Sequence, residues 1–239
     1  MSSDPPATRR RPTHRKGRPT LSRESVGRAA LDFLGRRGAG ELTMRSLAAD
    51  LGVSPRALYN YVEDRRDLIA VAAEIFESGW QPPPLDPAPE KWRESLALFC
   101  RDLRAHYRRH PGMTSLALGE NITMARHPVM LRNVDALIGF FEEVGLPLAD
   151  AYRACGETLR TVVGFVEFQD GPHDRPPEQV DPSDVTRVPP PWLTPHERDA
   201  GVELPHLSRL AGLPPATPDA LFDFALSTLT EGLAARVAP

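Results

Sequence analysis

Ser54, Pro55, Arg56, Tyr59 and Asn60 lie within seven consecutive positions, and together they have the chemistry of a surface that reads polar edges. A guanidinium and a carboxamide each make paired hydrogen bonds to a base edge. Serine and tyrosine hydroxyls donate to phosphate oxygens, and a proline ring can meet a thymine methyl. Ser54 suits a helix N-cap and Pro55 a first helical position, so Ala57, Leu58 and Tyr61 or Val62 must turn inward and the five polar-edge residues outward.

Other groupings are weaker. His106 and His110 stand at i, i+4, a spacing that can put two imidazoles on one metal, but no glutamate follows His106, and the helix dipole alone favours a histidine near a helix C-terminus. Gly35, Gly38 and Gly40 follow no strand, so no dinucleotide loop is implied. Glu142 and Glu143 are adjacent, as in a solvated pair. Cys100 and Cys155 have no paired spacing and read as buried free thiols. No catalytic group, metal or other cofactor is expected, and the chain does not read as an enzyme.

The elements that must hold the polar-edge residues are legible. Ser22 can cap a helix over 23–37, with Leu21 and Val26 as a hydrophobic staple and Val26, Ala29, Ala30, Phe33 and Leu34 along one face. Thr43 can cap a second helix of about eight residues carrying Met44, Leu47, Ala48 and Leu51. Gly52 then permits a left-handed turn, Val53 a plug between helices, and the chain restarts as a helix over 55–61. Two short helices joined by a glycine turn make a helix-turn-helix, whose second helix enters the major groove. Asp64 caps a longer helix with Leu68, Ile69, Ala72, Ile75 and Phe76.

Charge supports this division. Of the 239 residues, 1–71 hold 14 Lys and Arg against 8 Asp and Glu, a net of +6, while the remainder carries −9. A basic head on an acidic body suits a chain that meets phosphates at one end only. Residues 1–19, with Pro5, Pro6, Pro12 and Arg18, read as a disordered basic arm able to reach a minor groove. Apolar stretches are too short to span a membrane, and the N-terminal arginines and prolines do not resemble a signal peptide, so a cytoplasmic location is expected.

Residues 20–80 resemble the DNA-binding domain of the TetR family of bacterial transcriptional regulators. The resemblance is carried by Leu42, Thr43, Met44, Arg45, Leu47, Ala48, Leu51, Gly52, Val53, Ser54, Leu58, Tyr59, Tyr61, Val62 and Leu68. It implies an all-α protein: an N-terminal three-helix DNA-binding domain with its helix-turn-helix at about 43–62, and a larger C-terminal ligand-binding and dimerisation domain over 81–239. Arg56 and Asn60 become the expected base readers. Thr43, Arg45, Tyr59, Tyr61 and Arg65 are expected at phosphates or flanking bases. Arg109–Gly112 and Phe222–Leu233 further resemble the tetracycline-repressor-like subgroup. That subgroup would imply a magnesium–drug complex held partly by histidine, but Gln81 and Ala117 stand at the best-matching positions.

In the second region, residues 81–89 contain five prolines and cannot be helical. A helix with Trp92, Leu96, Phe99, Leu103, Ala105 and Tyr107 follows and ends at His110–Gly112. Then come a broken stretch over 113–126, a helix carrying Met130, Val134, Leu137, Phe141 and Val144, and another from Leu148 to Phe168. Residues 169–195, with eight prolines, read as a long loop. The resemblance implies an effector cavity, for which Phe99, Leu103, His106, Tyr107, Met113, Met124, Phe140, Phe165 and Phe168 are the candidates.

The last helix, about 218–236, is apolar over too much of its circumference to face one core. It and the 148–168 helix are expected to pair with a second copy through Ala151, Leu159, Val162, Val166, Leu221, Phe222, Leu226, Leu229 and Leu233. The expectation is a homodimeric repressor on a palindromic operator, released by a small-molecule effector; a corepressor of opposite sign is allowed. The alternative is a helical ligand-binding or catalytic protein whose basic head contacts protein rather than DNA.

Overall fold

The computed structural model describes residues 21–122, 127–176, 178, 180, 181, 184, 201–210 and 212–237, and every regular element among them is helical. None of their helices is long and apolar enough to cross a membrane. Arg18 and Met124 lie outside the described residues, as do the arm over 1–19 and the whole 185–200 stretch.

Four helices form the basic head: α1 (Arg23–Arg37), α2 (Met44–Asp50), α3 (Pro55–Leu58) and α4 (Arg65–Ser78). Each starts where a short oxygen-bearing side chain can accept from an amide of the first turn. Ser22 accepts from the Ser25 amide, Thr43 from Ser46, Ser54 from Ala57 and Asp64 from Asp67. At Ser22 and Thr43 the partner serine returns the bond, completing a capping box. Gly52 takes φ +63°, the left-handed turn expected between α2 and α3, and the Val53 amide then donates to the Ala48 carbonyl at 2.9 Å. Regular helix ends at Leu58 rather than at residue 61; residues 59–61 continue as a turn in which the Tyr61 and Val62 amides both donate to the Leu58 carbonyl.

α1 lies tightly along α4. A Cβ on Gly27 would sit 2.4 Å from Val71 Cγ1, so the close approach needs glycine there. Val26, Ala30, Phe33, Leu34, Leu47, Ala48, Leu58, Leu68, Ile69 and Ala72 are each fully buried and form the core of the head.

The body contains α5 (Trp92–Arg109), α6 (Met113–Gly119), α7 (Pro128–Val144), α8 (Leu148–Phe165), α9 (Gly171–Asp174), α10 (Leu207–Leu210) and α11 (Pro218–Ala234). α7 packs on α8, α5 crosses α8, α11 lies against both α5 and α8, and α4 of the head reaches α6 and α7. The stretch after Gly112 is therefore not wholly broken. α6 occupies it, and at seven residues it is too short to display a helical period.

A second departure lies beyond α8, where the chain widens into a π-helical turn, Val166–Asp170, and then forms α9, so residues 169–174 are helical rather than loop. Pro172 cannot donate to the Phe168 carbonyl and its ring would crowd it. The wider turn before it, closed by the Gly171 amide on the Val166 carbonyl, relieves that conflict.

The turn also carries Asp170 into the core. Asp170 is fully buried and makes a two-pronged ion pair with Arg104 at 2.7 and 2.6 Å, while Arg104 Nη1 donates to Asp219 at 2.9 Å. The guanidinium lies against both Phe165 and Phe222, 5.0 and 4.6 Å from their ring centres.

Head and body also meet along the second half of α1. His110 Nδ1 is 3.1 Å from the Leu31 carbonyl, a Cβ on Gly35 would lie 2.9 Å from the Arg109 carbonyl, and Arg175 donates to the Gly35 carbonyl.

Candidate functional site

α3 and the turn after it present one continuous polar face. Ser54, Pro55, Arg56, Tyr59 and Asn60 are all exposed, Tyr59 by 53%, above fully buried Leu58 and nearly buried Val62. The helix-turn-helix anchors this face from below and leaves its outer atoms to solvent. Arg56 and Arg45 form no ion pair among the described residues, so their charges are available. Thr43 and Ser54 are also exposed, but their hydroxyl oxygens already accept cap bonds; Ser54 keeps its hydroxyl hydrogen and second lone pair for a partner, whereas the Thr43 hydroxyl is also bonded to the Ser46 hydroxyl at 2.9 Å. Tyr61 is half-buried against the core, and its carbonyl accepts from Arg23, which also grips Asp67 at 2.7 and 2.5 Å.

Arg65 departs from expectation. Its Nε donates to the Leu42 carbonyl at 3.1 Å and its Nη1 is ion-paired with Glu120, while Arg66 Nε donates to the Glu120 carbonyl at 3.0 Å. This guanidinium ties the head to the residue after α6, and only its remaining N–H groups are left for a phosphate. A polar partner 55 positions away is invisible to local spacing.

A second feature lies in the body, where α4, α5, α7 and α8 enclose a cavity. Phe76, Glu77 and Trp80 come from α4 and the residues after it, Phe99, Leu103, His106 and Tyr107 from α5, Met130, Asn133, Val134 and Leu137 from α7, and Leu159 from α8. The space among these side chains, its mouth to solvent included, is about 400 Å³. The cavity is narrow, and a larger occupant must push its walls apart.

Four of the nine expected lining residues, Phe99, Leu103, His106 and Tyr107, therefore meet there. The other described candidates are placed elsewhere. Met113 is core under α6, Phe140 packs on Phe141 at 5.3 Å, Phe165 packs on Phe222 at 4.9 Å, and Phe168 is 85% exposed. The α4 contribution escapes sequence reasoning because Phe76 reads as ordinary head core and Glu77 as one more polar helical residue.

The cavity holds two unusual titratable groups. Burial lowers His106 to about 4, so it is neutral; its ring stacks on Phe76 at 4.4 Å and bonds to the Phe76 backbone. Burial pushes Glu77 up to about 7, and its Oε1 has no hydrogen-bond partner among the described residues. The Tyr107 phenol is likewise held well above its ordinary value, first by burial and then by the Glu77 charge.

The expected dimer face needs correction. Ala151, Val162, Val166, Phe222, Leu226 and Leu233 are buried inside the single chain, where they hold α8 and α11 to their own subunit. Leu159, Leu221 and Leu229 are only half-covered, and Tyr152 and Phe224 on the same helices are 68% and 73% exposed. An amphipathic stripe shows which residues are apolar; which apolar edge turns outward is set by the packing partners.

The residues do not fit a magnesium-held ligand. Gln81 is an exposed amide, Ala117 a buried methyl, and the described residues contain no group of three His, Cys, Asp or Glu side chains able to share a metal. His106 and His110 are engaged separately, on the Phe76 backbone and the Leu31 carbonyl.

Comparison with known proteins agrees with this architecture. Residues 28–75 match the family model of bacterial regulatory proteins of the tetR family, and residues 86–237 that of the tetracyclin repressor-like C-terminal domain. The chain is 35% identical over 104 residues to the HTH-type transcriptional repressor DrrR1 of Streptomyces coeruleorubidus, which covers 44% of this chain and 38% of that protein. It is 29% identical over 223 residues to the class A tetracycline repressor protein from transposon 1721 of Escherichia coli, covering 90% and 92%.

Among solved structures, a possible TetR family regulator from Streptomyces coelicolor A3(2) superposes with TM-score 0.63 at 28% identity, covering 90% of this chain and 99% of that one. ActR of Streptomyces coelicolor, in complex with actinorhodin, shares the fold at TM-score 0.68 and 20% identity, over 92% and 100%.

Proposed function

The chain belongs to the TetR family of bacterial regulatory proteins, which are DNA-binding transcriptional regulators, and on that premise we propose that it is a repressor of a pseudo-palindromic operator. Two subunits place α3 and its following turn in successive major grooves. Arg56 and Asn60 read base edges, while Arg45, Tyr59, Ser54 and Pro55 meet phosphates, flanking bases or methyl groups. Arg18 and the arm lie close enough in sequence to follow the adjacent groove. The observation that carries this reading is the exposed Ser54–Asn60 face over buried Leu58 and Val62. The domain division is a reading head over 20–80 and an effector-binding, dimerising body over 81–239. A regulator of this kind works beside the chromosome, in the cytoplasm, and performs no catalysis.

Dimerisation proceeds through the outer edges of α8 and α11, with Tyr152, Phe224, Leu159, Leu221 and Leu229 covered by the second copy. The effector enters the α4–α5–α7–α8 cavity. ActR holds actinorhodin in its crystal structure, and this supports a ligand-responsive body of the same fold. Because the cavity is narrow, a ligand that fills it presses on α4, which Arg65 ties to Leu42 of the head and Arg65 and Arg66 tie to Glu120 of the body. A ligand that favours the displaced state lowers DNA affinity by its differential affinity for the two states, typically about 1–3 kcal/mol of coupling.

Fluorescence anisotropy against the upstream intergenic DNA and a scrambled control, across a salt series, tests the proposal. Tighter binding to the native fragment, falling steeply with salt, is expected. Equal weak binding to both would leave only a basic surface.

A further inference from the structure

Glu77 is the next-to-last residue of α4 and is 8% exposed, with Oε1 lacking any hydrogen-bond partner among the described residues. A carboxylate in that position is costly unless it is protonated or meets a donor. The walls around it offer no cation. Among the described lining residues there is neither Lys nor Arg, and the one imidazole, His106, is neutral and already bonded to the Phe76 backbone. Arg104 and Arg108, the nearest arginines in sequence on the same turns of α5, are committed to Asp170, Asp219 and Asp174.

Of the ten other lining residues, four are aromatic: Phe76, Trp80, Phe99 and Tyr107. Trp80 meets Phe99 edge-on at 5.4 Å, and Phe76 meets Tyr107 edge-on at 4.9 Å. Ring faces attract cations by about 0.5–2 kcal/mol, most strongly where water is excluded. An acceptor with no internal partner, beside four aromatic rings in a mostly apolar cavity, is complementary to an ammonium group on an apolar body.

We propose that the α4–α5–α7–α8 cavity takes an organic cation, a protonated amine carried on an aromatic body, with Glu77 as its counter-ion. This deepens the effector reading above and rests on it. The ammonium donates to the orphan Oε1, and the ring system lies between Trp80, Phe99 and the apolar side of α7. The position of Glu77 also gives the ligand leverage. It stands 12 residues along α4 from Arg65, about 18 Å at 1.5 Å per residue. A charge captured at one end of the rigid helix thus acts on the end that is bonded to Leu42 of the head and Glu120 just after α6.

The test uses the full-length protein, titrated calorimetrically near pH 8 with three compounds of one shape: 2-naphthylmethylamine, 2-naphthylmethanol and 2-naphthoate. The amine is expected to bind about ten-fold more tightly than the alcohol, with the carboxylate weakest, as like charge disfavours it. In Glu77→Gln the amine should fall to the affinity of the alcohol while the alcohol itself is retained, which also shows that the cavity is intact. In Trp80→Leu the amine should lose more than the alcohol. Equal affinity of amine and alcohol in the unmodified protein, a preference that survives Glu77→Gln, or no binding of any of the three would overturn the proposal. Operator anisotropy without ligand judges the regulator reading separately. Operator binding with no preference for the amine sinks only the cation site. Amine preference without operator binding sinks only the regulator.

Discussion

Arg65, the first residue of α4, is ion-paired with Glu120, which follows directly on α6, while its Nε donates to the Leu42 carbonyl at 3.1 Å. One guanidinium thus joins the connecting helix, the reading head and the body. Both side chains are about one-third exposed, so the pair is moderate in strength. A double-mutant cycle of Arg65→Ala and Glu120→Ala, followed by urea unfolding, is expected to give a coupling of roughly 0.5–1 kcal/mol. Strict additivity would mean that the two groups do not interact in solution.

The two arginines with available charge should differ in kind. Arg56→Ala is expected to cost about 1–3 kcal/mol of operator affinity and to relax the preference at one base position. Arg45→Ala should weaken all sequences alike and flatten the salt dependence by about one unit of slope. An equal loss on operator and random DNA for Arg56→Ala would move that residue to the phosphates.

Glu77 and His106 predict opposing pH dependences. Between about pH 4.5 and 7 the folded chain keeps a proton on Glu77 that the unfolded chain has released, so this group's contribution declines as pH rises. Between about pH 4 and 6.5 the unfolded chain protonates His106 while the folded chain holds it neutral, so that contribution grows with pH. The windows overlap and the slopes oppose. His106→Gln should leave stability falling with pH across the window, and Glu77→Gln should leave it rising, each by about 2–3 kcal/mol at most. Denaturant titrations at several pH values check this; curves parallel to the parent would dismiss both assignments.

Gly27 is expected to resist even a methyl group. A Cβ there meets Val71 Cγ1 at 2.4 Å and Ile75 Cδ1 at 2.8 Å, and valine is stiff at χ1. Gly27→Ala should lose about 1–3 kcal/mol to overpacking, offset by about 1 kcal/mol of helix propensity. Adding Val71→Ala should recover part of the loss. Thermal unfolding of the three variants decides it, and a single variant as stable as the parent would show that α1 and α4 separate freely.

Asp170→Asn removes half of a buried ion pair and leaves Arg104 with exposed Asp219 alone. The expected loss is about 3 kcal/mol, and replacing Arg104 with Met in the same chain should restore most of it. A neutral effect of Asp170→Asn in urea unfolding would mean that the guanidinium finds water there.

The head is legible in the sequence because its signals are local. Ser22, Thr43, Ser54 and Asp64 each cap the helix that begins after them, and the outward set from Ser54 to Asn60 follows from burying Leu58 and Val62. What escapes the sequence depends on distant partners. Arg65 reads as a phosphate contact until Glu120 is brought to it. Asp170 reads as a loop acid among prolines until the π-helical turn carries it inward. Phe168 is apolar in type and solvent-facing in fact. The cavity is only half legible because α5 shows its inner stripe openly, whereas the inward aim of Glu77 is set by α5, α7 and α8 closing over it.

The widened turn at Val166–Asp170 amounts to one extra residue threaded into a helix. Each residue of an ordinary helix advances the side-chain direction by about 100°, so this extra residue resets the phase of everything behind it. Deleting one position between Val166 and Gln169 would make the helix regular and yet turn Asp170 away from Arg104. At this point in the chain, spacing by count matters as well as residue identity, because an insertion or deletion here carries Asp170 off its partner.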